Sequence, residues 1–225
     1  MKVILQAIVV SVLLNWTAVG AIADEVLLTR PPNASDIAQG LKSNLQYEAP
    51  LQQAADGFSL KDSSILTGIG WWGFYLPSGT LETPPQVQFE IRMFTGQAGK
   101  PSANPFYKTT VLASVSPFIA IQDHPTYAFS AQLIVPFEAQ AQTGYWLSVV
   151  ESDVRTDGAF AWFNSGPSQW PMGFVTRDGD GENWAVPENL EHLSFSLSGS
   201  IVPEPSVLAL LALSAVIMLF RGQRN

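Results

Sequence analysis

The chain contains no cysteine, which excludes disulfides, thiolate nucleophiles and cysteine-ligated metal centres. Histidine is nearly absent: His124 and His192 are the only two, too few for a three-histidine zinc site. Charged residues make up only 13% of the sequence, and the formal net charge is −8. Because nucleic acids and anionic lipids are bound by clustered Lys and Arg, this balance argues against both as partners. No cofactor is predicted.

Amphipathic helical patterning is also missing from the interior, although 47% hydrophobic residues predict a globular chain. Apolar and polar residues instead alternate with a period of two, most clearly over 86–93 and 127–137. Residues 65–76 are apolar on both faces, as in a central strand. Turn signals rich in Gly and Pro separate these runs.

Seven or eight such runs predict an all-β fold, an antiparallel β-sandwich, of which a jelly roll is one arrangement. We assign the sandwich to residues 55–201. Residues 24–54 contain Pro31-Pro32 and little periodicity, so they are predicted to form an extended leader or edge segment.

Residues 1–23 have the features of a signal peptide. Lys2 supplies a positive charge, an apolar run follows, and Ala21 and Ala23 form the small-x-small pattern that signal peptidase cleaves. The alternative is a buried N-terminal helix or membrane anchor. Removal of this segment and of the far C-terminal residues leaves 8 basic and 19 acidic residues.

Residues 202–225 form a distinct C-terminal segment. Its short motif and its basic end comprise Val202, Pro203, Glu204, Pro205, Arg221 and Arg224. Between them, a hydrophobic helix is predicted over 206–220, since proline suits a first helical turn and arginines suit the cytoplasmic side. The apolar run of about 14 residues spans about 21 Å, against roughly 30 Å of hydrocarbon. On length alone it is a weak transmembrane segment.

This order of Pro-Glu-Pro, hydrophobic helix and basic end resembles the sorting tail of the PEP-CTERM family of exosortase substrates. The resemblance implies export, retention in the inner membrane by the tail, and processing near the motif by an exosortase. It further implies a mature protein at the cell surface or in the extracellular polymeric matrix of bacteria. The basic end is short for this pattern, with two arginines.

Four interior segments are similar to the β-sandwich domains that PEP-CTERM proteins commonly carry. They cover residues 55–60, 69–75, 144–149 and 195–199. The similarity implies architecture, and no activity comes with it.

The adjacent Trp71 and Trp72 are the most suggestive interior residues. Neighbouring side chains in a strand face opposite ways, so at most one of the two enters a given core. The other is a candidate platform for a sugar ring. The alternative is that both are buried, one in the core and one under a covering loop.

The loop 178–183 places Asp178, Asp180 and Glu182 at every second position among glycines. Such carboxylates can surround Ca²⁺, although the twelve-residue EF-hand loop is not present. A solvated hairpin turn is the simpler interpretation, and no metal is predicted with any strength.

No catalytic residue is predicted. The sequence has no Gly-x-Ser-x-Gly nucleophile elbow, so neither histidine has a recognisable serine nucleophile to activate. Carboxylate pairs for glycoside hydrolysis are conceivable among Glu90, Glu138, Glu151, Asp153 and Asp157, but no spacing favours them. We therefore expect a non-enzymatic surface- or matrix-associated protein. The alternatives are a carbohydrate-binding module that uses Trp71 or Trp72 and a glycoside-active enzyme.

Overall fold

A computed structural model describes residues 24–33, 40–44, 52–76, 86–97, 99–121, 124–152, 158–167, 173–187 and 191–202. Within these residues the fold is all-β. The strands are β1 (Glu25–Arg30), β2 (Gly40–Lys42), β3 (Gln53–Phe58), β4 (Ser64–Leu76), β5 (Gln86–Gln97), β6 (Lys100–Pro101), β7 (Tyr107–Ile121), β8 (His124–Ala139), β9 (Tyr145–Glu151), β10 (Ala159–Pro167), β11 (Val175–Arg177), β12 (Glu191–Leu193) and β13 (Phe195–Ile201).

The strands form one antiparallel sheet in the order β1-β13-β4-β8-β7-β5-β9-β3-β11, with β10 also paired to β4. The sheet curls around a main core. Trp71 on β4 and Phe89 on β5 are separated by two strands in the sheet, yet their ring centroids are only 4.9 Å apart. The predicted all-β antiparallel class is confirmed, and the curled sheet is consistent with a sandwich or half-barrel. The predicted flanking helices lie outside the described residues.

Strand β5 supplies the core with the alternation that the sequence predicted. Its inward side chains are fully buried: Val87, Phe89, Ile91 and Met93. On the opposite face Gln86 and Gln88 are exposed, as expected. Arg92 departs from the prediction of a continuously wet face, because it is only 5% exposed. Its side chain contacts Glu90, Gln53 and Asp180, the last of which belongs to the acidic loop described below.

Strand β8 keeps the predicted alternation except at one bulge. Its partner β4 pairs Leu66 with Phe137 and then Gly68 with Gln132, so β8 contains extra residues between these two pairs. As a result Val135 is 60% exposed, although the alternation predicted it inside. A bulge of this kind shifts the side-chain period locally, and the apolar pattern of the sequence gave no sign of it.

Strand β9 is buried on both faces, which simple alternation did not predict. Its inward side chains join the main core, and Trp146 points to the other face. There it packs in a second cluster with Phe94 and Trp184. The second cluster is the reason why β9 carries apolar residues at consecutive positions.

The predicted leader, residues 24–54, contributes strands to the sheet, so the domain begins before Ala55. Strand β1 pairs with β13, and β2 pairs with β10. Leu27 and Leu28 of β1 pack against the main core. The sequence Glu-Val-Leu-Leu-Thr-Arg has no clear alternation, so the pattern left a leader and an edge segment open; β1 lies at the edge of the sheet.

The first and last described strands lie side by side at one edge. Because they are antiparallel, Glu25 at the start of β1 pairs with Gly199 near the end of β13. Ile201 in turn pairs with Ser64, the first residue of β4. We call this side of the sheet the tail end. The opposite side, where β4 finishes at Leu76, is the far end.

Candidate functional site

Trp71 belongs to the core and is excluded as a ligand platform in this fold. Its side chain is fully buried. Its ring lies parallel to Phe129, with centroids 5.6 Å apart and 5° between planes, and edge-on to Phe89. Aromatic pairs in such geometries add about 0.5–1.5 kcal/mol each beyond burial. Trp71 therefore stabilises the main core and is not available to a ligand.

Trp72 points to the opposite, outer face of β4 and is half-buried. One side of it packs against a small cluster that includes Phe74 and Phe163. On the other side, its ring centroid lies 6.2 Å from that of Phe118, which is 40% exposed. Trp72 is thus held by its neighbours and still reaches the surface.

The outer face beside Trp72 is built from small and hydroxyl-bearing residues, and we call it the serine face. Its cross-strand rows are Thr29–Ser196–Gly70–Ser130–Ser114, Val26–Ser198–Gly68–Gln132 and Trp72–Ala128–Ser116. None of these residues is charged, although the chain carries a formal charge of −8. The face spans five neighbouring strands, from β1 to β7.

The glycines on β4 make room for the serine hydroxyls. A Cβ atom on Gly70 would lie 2.6 Å from Oγ of Ser196, and one on Gly68 would lie 2.5 Å from Oγ of Ser198. The serine side chains therefore lean over glycine backbone. Because these glycines have no side chains, no β4 side chain projects from the face at Gly68 and Gly70, next to Trp72. The face can offer hydroxyl groups and an aromatic edge to a neutral, hydroxyl-rich ligand.

The acidic loop after β11 is anchored by two arginines. The Asp180 carboxylate accepts hydrogen bonds from both terminal nitrogens of Arg92 and from Nη2 of Arg177, the latter at 2.8 Å. The two arginine side chains are nearly buried, at 6% and 1% exposure, whereas that of Asp180 is 56% exposed. Asp180 is thus a counter-charge that two buried cations share from the surface, and Glu90 pairs with Arg92 as well.

These contacts shift the ionisation of the three groups. Partial burial alone would raise the pKa of Asp180, but hydrogen bonds from Arg92 and the charges of Arg92 and Arg177 outweigh it and lower that pKa. Burial and the neighbouring Arg92 charge lower the pKa of Arg177. Burial acts in the same direction on Arg92, but Asp180 and Glu90 overcome it, so its pKa is raised. All three groups therefore stay charged at neutral pH.

Arg177 also holds the loop through its aromatic and amide contacts. Its guanidinium lies 4.5 Å from the ring centroid of Trp184 and 5.6 Å from that of Phe94. Its Nε donates to Oε1 of the buried Gln53 at 2.7 Å. Cation–π contacts of this kind add about 0.5–2 kcal/mol each. Through these contacts Arg177 holds the acidic loop against the second hydrophobic cluster.

This arrangement changes the interpretation of the candidate calcium loop. Asp178 and Glu182 are exposed, and Asp180 is committed to the two arginines. Within the described part of the chain, no three His, Asp or Glu side chains come together in a group that could hold a metal ion. The loop contacts arginine where the sequence hypothesis placed calcium.

A second buried ionic cluster was not anticipated from the sequence. The fully buried carboxylate of Asp56 accepts from Nη1 of Arg30 at 2.9 Å and from the Leu193 amide at 2.9 Å. Nδ1 of His192 lies 2.9 Å from the same carboxylate. The cluster joins β3 to β1 and β12, which are distant in the chain. No spacing pattern marks such long-range partners, so sequence reasoning had no signal for it.

The carboxylates considered for glycoside hydrolysis do not converge where they are described. The β5–β9 register pairs Phe89 with Glu151 and Glu90 with Val150, so the two glutamates face opposite sides of the sheet. Glu90 forms ion pairs with Arg92 and Lys108, and Glu138 is exposed on β8. Asp153, Asp157 and the His124 side chain lie outside the described part of the structure.

Most of the predicted sorting residues also lie outside the described residues: Ala21, Ala23, Pro203, Glu204, Pro205, Arg221 and Arg224. Val202 is described, and its amide donates to the Ser63 carbonyl at 2.8 Å. The residues that the structure describes include no helix with the length and apolarity needed to cross a bilayer.

The fold and surface define an all-β domain with a curled antiparallel sheet, an uncharged outer face and an arginine-anchored loop. A family model described as a domain of unknown function (DUF7901) matches residues 28–199, and the chain belongs to that family. No curated protein matches the chain.

Proposed function

We propose that this protein is exported, sorted through a PEP-CTERM tail by an exosortase, and resides at the cell surface or in the extracellular matrix as a non-enzymatic β-sandwich. One observation carries the sorting proposal. The family match ends at residue 199, and Pro203 follows four residues later. The motif and the hydrophobic run therefore lie beyond the part of the chain that the family model matches.

The position of the motif also suits processing. A protease needs extended, accessible backbone, whereas β13 is paired through Ile201 and the Val202 amide is hydrogen-bonded. A cut after Val202 would leave every described strand in the mature protein. The signal-peptide cut after Ala23 would likewise leave β1 complete.

The sorting proposal can be tested in the native host. We expect the triple variant P203A/E204A/P205A to accumulate in the membrane fraction, while the wild-type chain is processed and leaves it. A matched control changes Asp178, Glu182 and Val186 to alanine, three exposed positions remote from the tail. Mass spectrometry of the mature surface protein should detect no peptide from residues 207–220. Detection of such a peptide would overturn the proposal that the tail is removed.

A second function, binding of a neutral polysaccharide, is favoured by the serine face. Its rows are uncharged and carry hydroxyl groups beside the partly exposed Trp72 and Phe118. Sugar rings stack their C–H faces on aromatic side chains, and hydroxyl groups exchange hydrogen bonds with them. Matrix polysaccharide is the ligand that this surface suits.

Affinity electrophoresis in gels that contain neutral or acidic polysaccharides tests this binding. We expect retardation by a neutral polymer and about ten-fold weaker retardation of Trp72→Ala, since loss of a stacking partner costs about 1.4 kcal/mol or more. Val186→Ala, which removes an exposed apolar side chain elsewhere, is the control. If wild type and Trp72→Ala migrate alike in every gel, this function is wrong and the sorting proposal is unaffected.

A further inference from the structure

The two chain exits of the domain lie together at the tail end of the sheet. Glu25 pairs with Gly199, and Ile201 pairs with Ser64. A surface pocket at this position is lined in part by Val26, Lys61 and Ile201. Residues that precede β1 and residues that follow β13 therefore leave the domain within one small area.

The connection to the hydrophobic run is short. Five residue steps separate Val202, the last described residue, from Val207, the first residue of the apolar run. At the chain's maximum reach of about 3.6 Å per residue, this connection spans at most about 18 Å. A bilayer that holds the apolar run therefore also holds the tail end close to its headgroups.

The serine face extends away from this point. Trp72 lies eight residues along β4 from Ser64, or about 26 Å at the rise of a strand. Ser116 lies at the same level, because both residues pair with Ala128. Phe118 is two residues farther along β7.

We propose that, in the tail-anchored precursor, the tail end of the domain contacts the lipid headgroups of the membrane surface, while Trp72 and the far end point away from it. This inference rests on the proposed sorting function, which supplies the anchor. The contacting surface mixes apolar and charged side chains: Val26 is 67% exposed and Ile201 is 39% exposed, beside Lys61 and Asp62.

This contact is maintained by the short tether and not by an intrinsic affinity of the domain for lipid. A tether of a few residues holds its two ends at millimolar effective concentration or above. The chain is acidic overall, so an anionic membrane would not attract it once the tether is cut. Processing therefore ends the lipid contact and releases the domain with its serine face already turned outward.

The absence of cysteine makes orientation measurable by single-cysteine labelling. Lys61→Cys reports on the tail end and Ser116→Cys on the far end, and both positions are exposed. The full-length precursor is kept in membranes of a host without exosortase and treated with a bulky PEG-maleimide. We expect Lys61→Cys to be labelled several-fold more slowly than Ser116→Cys.

The matched control lengthens the tether in the same chains. About 20 Gly/Ser residues inserted between Val202 and Pro203 give an added span of roughly 25 Å, which should bring Lys61→Cys to the labelling rate of Ser116→Cys. Equal rates without the insertion, or a rate difference that the insertion leaves unchanged, would overturn the orientation. A precursor absent from the membrane pellet would instead overturn the anchor, and the orientation with it.

Discussion

Asp180 is an exposed aspartate whose loss would leave two buried arginines without their shared counter-charge. Arg92 and Arg177 come from β5 and β11, and Asp180 sits between them on a loop that begins with Asp178. Because breaking a buried charge pair leaves an uncompensated charge, Asp180 contributes more to stability than its exposure suggests. It also connects the acidic loop to the sheet.

We predict that Asp180→Asn lowers the free energy of unfolding at neutral pH by about 1–2 kcal/mol, since the pair is charged but more than half exposed on one side. The folded-state pKa of Asp180 lies below the ordinary value of 3.8. Its contribution is therefore complete above that value and is lost as the pH falls through the folded pKa. Urea melts of wild type and variant should converge at low pH.

The control for this prediction is Asp178→Asn, two positions earlier and exposed. It should change stability by less than about 0.5 kcal/mol at every pH. A difference between Asp180→Asn and wild type that stays constant down to pH about 2 would show that ionisation of Asp180 is not the cause.

The same residues show where prediction from sequence stops. The alternation of carboxylates with glycines in 178–182 predicted a solvated turn, with calcium binding as a weaker alternative. Of the arginines that bind Asp180, Arg177 lies three residues earlier at the end of β11. Arg92 lies far away on β5, where the period-two pattern placed it in water. Sequence spacing describes local faces, whereas the cover over Arg92 comes from a distant segment.

Among the secondary-structure elements, the pair β13–β4 depends on a close backbone approach. The register shifts between Ser198 and Gly199. A Cβ atom on Gly199 would lie 2.0 Å from the Ile65 carbonyl oxygen, which belongs to the backbone and has little room to move. Glycine is therefore required at this irregularity, as is common at bulges.

We predict that Gly199→Ala destabilises the domain by about 3 kcal/mol or more, because an added methyl group must push two strands apart. Gly144→Ala is the matched control, since a Cβ atom there has no neighbour within 4 Å. It should change stability by less than about 0.5 kcal/mol. Urea unfolding followed by tryptophan fluorescence measures both, and equal effects would contradict the tight β13–β4 register.

The prediction of strands from sequence succeeded where one face of a strand packs against the main core. The alternation on β5 was found from periodicity, and β4 is a central strand as expected. The expected cover on both faces of β4 is incomplete, because its outer face at Gly70 and Trp72 is only partly buried. The prediction failed at the bulge near Val135 and on β9, because each depends on a partner: an uneven register with β4, and a second cluster around Trp146. Of the adjacent tryptophans, the rule that neighbours face opposite ways was sufficient to separate Trp71 from Trp72. Only the fold could say which one is in the core.

At the scale of the whole molecule, the class of fold was predictable and the domain limits were less so. Period-two runs between Gly and Pro turns indicated an all-β antiparallel domain, which the structure has. The family match from residue 28 and the pairing of β1 both extend the domain into the predicted leader. Edge strands are short and half-covered, so their composition differs little from that of a loop.

The pairing of β1 with β13 has a consequence for the order of folding. Among the described residues the first strand pairs only with the last one, so under the proposed export this ladder forms only after nearly the entire domain has left the export channel. Such long-range contacts slow folding, because the chain must close a large loop before they form. Slow closure would suit the proposed export if the chain crosses the membrane unfolded. Under that proposal, the emergence of β13 completes the sheet just before the tail stops the chain in the membrane.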